Sequence, residues 1–445
     1  MISFPLRQIR HSFSTIKPPV LTLETICSKL LKAEYAVRGT IPMKAAQIAE
    51  EIRIGQGSKH PFGNLTELNI GNPQIFGQPP FSFIREVLAS CFNPKMIDKM
   101  PFHQDVKSRS KFYHSNVTAL IGAYSESVGY RFVRENVSKF IKQRDGGNDV
   151  PVSNIILTDG ASNGINMILS TILSNEKDGV MIPIPQYPLY TALIALRNGQ
   201  EVPYYLNEDL GWQICPNDLN NSLKEARSKG VNVKALVLIN PGNPTGQIFD
   251  EDALKTLIKF CYENRMVILA DEVYQENIYK EGKKFVSMKK VLTEMPQPYN
   301  RLELFSFHST SKGFLGECGI RGGYMEMTNI DSDVLAQIVK LKSINLCSNT
   351  TGQITTDLMV NPPKKEECSQ ETVEKYENER AEILSSFKKR AQIVTDKLNK
   401  MKNIKCAEVE GAMYAFPKLF FTEKIITEAA KRKMNPDLFY TYEGF

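Results

Sequence analysis

The sequence predicts an α/β protein, with a mostly parallel sheet covered by helices on both faces and a second, smaller α+β domain. Three observations carry this. From about residue 115 to 347, apolar runs of strand length alternate with longer helix-like runs, as in a sheet built from strand–helix units. Several of those runs are apolar without a break, as strands buried on both faces are. The 445 residues exceed what one hydrophobic core usually serves, and past residue 348 the pattern gives way to a linker and a long charged helix.

In chain order, residues 1–22 hold Arg7, Arg10 and Lys17 among hydroxyl-bearing and apolar residues, with no acid. That suits a mitochondrial presequence or a disordered tail, so the mitochondrial matrix and the cytoplasm both stay open as locations. Residues 23–114 are expected to form an N-terminal arm with helices of the smaller domain. The large domain is assigned to residues 115–347. Its first strand falls at Asn154-Ile-Ile-Leu-Thr158, followed by the turn Gly160-Ala161-Ser162 and a helix from Asn163 to Leu173. Such a turn at a helix N-terminus is an anion site, because free N–H groups and the helix dipole face the ligand. Asp159 would repel an anion there and should turn away.

Four further strands end in polar residues. Gly179–Pro183 precedes Tyr187, and Ala235–Ile239 runs into Asn240-Pro-Gly-Asn-Pro-Thr-Gly246. Met266–Ala270 runs into Asp271-Glu-Val-Tyr274, and the strand containing Phe305 runs into Ser309-Thr-Ser-Lys312 and, farther on, Arg321. Asn361-Pro-Pro-Lys-Lys-Glu-Glu367 reads as a linker. A charged helix over residues 369–400 leads to a strand near Ala412–Phe416, within an incomplete smaller domain over residues 348–445.

Ligands of open α/β sheets bind beyond the carboxyl ends of the strands, where these polar residues collect. Lys312 can condense with an aldehyde. Ser309 and Arg321 can hold a phosphate, the arginine through a planar two-pronged contact. Asp271 can pair with a protonated ring nitrogen or cap a helix. Asn243 can bond a ring hydroxyl or its own turn. Tyr274 can reach the same hydroxyl, and Tyr187 can stack on the ring or pack into the core. A phosphorylated pyridine aldehyde is pyridoxal 5′-phosphate (PLP), whose protein partners are a Schiff-base lysine and a carboxylate for the nitrogen. Singly each residue has an ordinary structural role; three strand ends together favour the cofactor.

Composition bounds the alternatives. A formal charge of +6, spread along the chain, leaves no nucleic-acid footprint. No apolar run reaches the length of a membrane span. The eight cysteines never form Cys-x-x-Cys, which argues for a reducing compartment and against a zinc site. Cys318, in the loop after Lys312, reads as a small filler, and His308 as a buried strand-end residue.

The chain resembles the alanine aminotransferases among the fold type I PLP enzymes. The resemblance rests on Ala33-Glu-Tyr-Ala-Val-Arg-Gly39, Asn69-Ile-Gly-Asn72, Gly122-Ala-Tyr-Ser125, Gly160-Ala-Ser162, Pro183-Ile-Pro-Gln-Tyr-Pro188, Asn240 to Gly246, Asp271-Glu-Val-Tyr274, Ser309 to Arg321 and Glu410-Gly-Ala-Met-Tyr414. It implies that Lys312 binds the cofactor covalently and shuttles the substrate α-proton, and that Asp271 keeps the ring nitrogen protonated. It further implies that Asn243 and Tyr274 bond the ring oxygen, Tyr187 stacks on the ring, and Ala161, Ser162, Ser309 and Arg321 hold the phosphate. Tyr124 would reach the phosphate of the neighbouring subunit in a homodimer, and Gly71, with Asn243, would sit beside the substrate. The implied reaction is reversible amino transfer from L-alanine to 2-oxoglutarate.

Members of that family continue for several dozen residues past the point matching Tyr440, through an arginine that clamps the substrate carboxylate. No arginine of this sequence matches it. The expected consequence is substrate binding weaker by roughly two to four orders of magnitude, from two charged hydrogen bonds. Three readings therefore stand: an alanine transaminase, another fold type I transaminase or lyase, and a cofactor-binding but weakly active paralogue that serves as a dimer partner.

Overall fold

The computed structural model describes residues 21–35, 40–66, 68, 70–117 and 121–443. Most of the expected presequence, residues 36–39 of the Ala33–Gly39 stretch, Asn69, Gly444 and Phe445 lie outside the described residues.

Eight strands form the main sheet: β1 (Ile155–Leu157), β2 (Asp178–Ile184), β3 (Gln200–Asn207), β4 (Gln213–Ile214), β5 (Asn232–Ile239), β6 (Val267–Asp271), β7 (Leu304–Ser309) and β8 (Gly323–Thr328). Their order is β1-β8-β7-β6-β5-β2-β3-β4. The pairings from β3 through β2, β5 and β6 to β7 are all parallel. The strand β8 runs antiparallel to both neighbours, β1 and β7, and β4 is a short antiparallel edge. The mostly parallel sheet is therefore as expected. Because β8 is reversed, it begins at the edge where the parallel strands end, and that delivers Arg321 to the same place as Asp271 and Lys312.

Successive side chains of a strand face opposite ways, and β5 shows both faces covered. Ala235, Val237 and Ile239 pack with the helices Ala161–Ile172, Leu189–Leu196 and Ser332–Ile344. Leu236 and Leu238 pack with the helices Pro216–Ser228, Glu251–Asn264 and Met288–Glu294. Each fully buried aliphatic side chain of this kind contributes about 1.5–3 kcal/mol. A third core joins the β1 edge to the helices Ser82–Phe92, Gln104–Asn116, Arg131–Arg144 and Thr350–Val360, through Ile84, Val87, Tyr113, Val133, Leu157 and Leu358.

Of the strands that the sequence did not mark, β3 and β8 are the longest. In β3, Pro203 interrupts an otherwise half-buried run; proline there is tolerated because the strand lies next to the sheet edge. In β8, Glu326 reads as polar, but it is fully buried and bound by Lys289 Nζ at 2.8 Å. The charged helix spans Gln370–Asn399, with Ser369 as its N-cap accepting from Thr372 N.

The strand expected at Ala412–Phe416 is a correction. Only Gly411 makes a bridge, to Ile278, and Ala412 takes φ 59°, which breaks an extended run. The strand beyond the helix is instead β10 (Pro417–Leu419), paired antiparallel with β9 (Ile404–Cys406). Met413 to Phe416 form a loop that carries Tyr414 toward the sheet edge.

Candidate active site

The carboxyl ends of the parallel strands open into a cavity of about 770 Å³. Its lining includes Gly71, Ala161, Ser162, Tyr187, Asn243, Asp271, Tyr274, Ser309, Lys312 and Arg321. Ten of the expected site residues thus meet in one place, although their chain positions run from 71 to 321. Tyr124 is not brought there. It is 76% exposed and lines no part of its own chain's cavity.

The anion end is built on a helix start. The helix begins at Ala161 with Gly160 as its N-cap, so Ala161 and Ser162 form its first turn rather than the turn before it. Gly160 takes φ 77°, a conformation that favours glycine, and a Cβ there would push the Arg321 guanidinium from its place. The Arg321 guanidinium donates to Ser162 Oγ at 3.2 Å, Ser311 Oγ at 3.3 Å, Asp159 O at 2.9 Å and Cys318 O at 3.1 Å. It pairs with no carboxylate among the described residues. The Asp159 carboxylate turns away, accepting from Asn349 N at 2.7 Å. An arginine without a counter-ion beside a helix N-terminus concentrates positive potential.

At the other end, Asp271 closes β6 and is 5% exposed. It accepts from Tyr190 Oη at 2.9 Å and Val273 N at 3.4 Å. Burial pushes its carboxyl up to about 6, against the lowering effect of those donors and of the Lys312 charge. A buried carboxylate held by neutral donors is the environment that a cationic ring nitrogen would complete.

Between the two ends, Lys312 Nζ donates to Gly71 O at 2.7 Å and lies 5.9 Å from the centre of the Tyr274 ring. Tyr274 is buried, and burial with neighbouring phenols holds its hydroxyl well above the usual range. The Tyr187 hydroxyl, raised by burial, lies 2.7 Å from Tyr35 Oη. Cys318 donates its thiol to Ser311 O at 3.1 Å and lines the cavity, with burial raising its pKa.

Sequence reasoning passed over Tyr35, Tyr190 and Tyr414, although Tyr35 and Tyr414 lie in stretches that carried the resemblance and Tyr190 lies two residues past one. Tyr35 and Tyr414 line the cavity, and Tyr190 supports Asp271 from behind. Nothing in their local spacing separates them from core tyrosines. Among the described residues of the lining, Arg321 is the single arginine.

Residues 107–430 match the family aminotransferase class I and II. Over 438 residues the chain is 46% identical to alanine aminotransferase 2, mitochondrial, of Arabidopsis thaliana, covering 97% of this chain and 80% of that protein. Glutamate–glyoxylate aminotransferase 1 of the same plant is 43% identical over 94% of this chain and 85% of its own length. Alanine aminotransferase 1 of Bos taurus is 40% identical over 96% of this chain and 86% of its own. Among solved structures, an alanine aminotransferase from Pyrococcus furiosus superposes with TM-score 0.69 over 89% of this chain and 84% of that one; at 22% identity it speaks for the fold.

Proposed function

The chain belongs to the aminotransferase class I and II family, and from that premise we propose that it transfers the amino group of L-alanine to 2-oxoglutarate, giving pyruvate and L-glutamate. The family is PLP-dependent and acts on amino acids and 2-oxo acids. The observation that carries the reading is the convergence of Lys312, Asp271 and Arg321 on one cavity, in a chain 40–46% identical to proteins named alanine aminotransferases.

The residues fit the cofactor. Arg321, Ser309, Ser162 and the N–H groups at Ala161 would hold the phosphate, and Asp271 would pair with the ring nitrogen. Asn243 and Tyr274 would bond the ring oxygen, and Tyr187 would lie on the ring face. When bound, PLP supplies an aldehyde for the amino group and a ring that withdraws electrons from the substrate α-carbon. Lys312 Nζ would anchor it and move the proton at that carbon. Ionised Asp271 would keep the ring nitrogen cationic, an attraction that the buried, low-dielectric site would strengthen. Gly71, whose carbonyl accepts from Lys312 Nζ, would sit beside the substrate.

A glyoxylate acceptor is a second reading, favoured by the similarity to glutamate–glyoxylate aminotransferases at 43% and 42% identity. We further propose a homodimer in which Tyr124, exposed here, reaches the neighbouring site, and a division into an arm (23–114), a large domain (115–347) and a smaller C-terminal domain (348–445). Import into the mitochondrial matrix is supported by the acid-free basic residues 1–22 and by relatives named mitochondrial; a reporter fused to residues 1–30 that stays cytosolic and uncut would argue against it. The activity is tested by loading the purified protein with PLP and profiling amino donors against 2-oxoglutarate, pyruvate and glyoxylate. Pyruvate formation from alanine and 2-oxoglutarate is expected to lead the panel. A protein that binds PLP but turns over no amino donor would leave the dimer-partner reading in its place.

A further inference from the structure

Tyr414 lies 343 residues from Gly71 and 140 from Tyr274, yet its hydroxyl meets both. Gly71 N donates to Tyr414 Oη at 3.0 Å, and Tyr274 Oη donates to it at 3.5 Å. The Tyr274 and Tyr414 rings meet edge to face, with centroids 6.2 Å apart. The carbonyl of the same Gly71 accepts Lys312 Nζ. One residue is thus clasped through both of its peptide groups, by Lys312 on its carbonyl oxygen and by Tyr414 on its N–H. Glycine is needed for this approach, because a Cβ on residue 71 would stand 2.6 Å from Tyr414 Oη.

The position of Tyr414 is fixed by its own segment. Gly411 N donates to Gly246 O at 2.8 Å, in the loop that carries Asn243, and Ala412 N donates to Asn277 O at 3.0 Å, just past Tyr274. Glu410 accepts from Ile248 N at 3.0 Å and from Lys280 Nζ at 2.9 Å. A side chain so anchored can hold its neighbours rather than follow them.

We propose that Tyr414 is a positioning residue of this site, governing how the Tyr274 hydroxyl and the two peptide groups flanking Gly71 present themselves to the cofactor and to Lys312. The inference rests on the PLP reading above. With its proton directed to Tyr414, Tyr274 is a weaker donor to the ring oxygen; removing the Tyr414 hydroxyl returns that proton to the cavity. With PLP held by Lys312, a stronger Tyr274 donor at the ring oxygen would lower the pH at which the loaded site gives up its proton.

The test uses Tyr414→Phe, which keeps the ring and its packing, with Tyr274→Phe and the double variant. In the PLP-loaded protein without substrate, the pH midpoint of the visible absorbance should fall by about half a pH unit or more in Tyr414→Phe. It should rise in Tyr274→Phe, and the double variant should match Tyr274→Phe, since Tyr414 acts through Tyr274. In the cofactor-free protein, Gly71 amide exchange should quicken about tenfold or more in Tyr414→Phe while exchange elsewhere stays unchanged. An unmoved midpoint, or the same shift with and without Tyr274, overturns the proposal even if thermal stability falls. If wild-type protein takes up no PLP on Lys312, the functional reading fails, and the exchange experiment still judges the clasp.

Discussion

Asp271→Asn separates the cost of the buried carboxylate from its use. In the cofactor-free chain, burial raises this carboxyl from 3.8 to about 6, so the folded state holds the proton more tightly than the unfolded state. Stability therefore falls as pH climbs through the window between those values, and the full penalty stands above about pH 7. A shift of about two units at 1.36 kcal/mol each gives a penalty of about 3 kcal/mol. Asparagine does not titrate and can still accept from Tyr190. The cofactor-free variant should match wild type near pH 4 and exceed it by about 3 kcal/mol at pH 7.5. For a chain of this length that is about 3 °C in apparent Tm. The assay is a thermal scan of both cofactor-free proteins across one pH series. With PLP bound the order should invert, because only the carboxylate pairs with a ring cation, and amino transfer should drop about a hundredfold or more. A difference between the two cofactor-free proteins that stays flat from pH 4 to 7.5, or shrinks as pH rises, would refute the linkage.

Three more outcomes are expected. Borohydride reduction of the PLP-loaded protein followed by peptide mapping should place the pyridoxyl group on Lys312; its appearance elsewhere would remove the basis of the enzyme reading. Arg321→Ala should weaken PLP binding by about 10²–10⁴-fold, the equivalent of two charged hydrogen bonds, measurable by fluorescence titration; an unchanged affinity would mean that the phosphate sits elsewhere. Lys289→Met leaves Glu326 buried and unpaired between β7 and β1, with only Thr328 as donor. It should cost about 3–5 kcal/mol in urea unfolding, whereas Lys290→Met, at the exposed Glu294, should cost under about 1 kcal/mol.

The parts of the site that the sequence made legible are those that follow directly from a strand end. Asn243, Asp271 and Lys312 each stand within a few residues of an apolar run, and parallel strands force such positions to one edge, so local pattern and global geometry agree. Arg321 was legible from its place after Lys312, but its arrival at the same edge depends on the reversal of β8, a strand that its buried glutamate disguised; the ion pair with Lys289 of the helix Met288–Glu294 makes Glu326 tolerable there. Tyr190 sits on the helix Leu189–Leu196, whose sequence is apolar nearly throughout and marks no face as the one that meets Asp271. Tyr414 was hidden by a different cause. Its segment reads as a strand, yet Gly411 presses against Asn277 O, where a Cβ would stand only 2.6 Å away, and Ala412 turns left-handed to follow. That bend is imposed by contacts more than 130 residues distant in the chain, and no local propensity encodes it. The same long-range contacts that defeat a strand there bring Tyr414 against Gly71 and Tyr274. The place where local reasoning failed is therefore the place where the C-terminal segment reaches the chemistry.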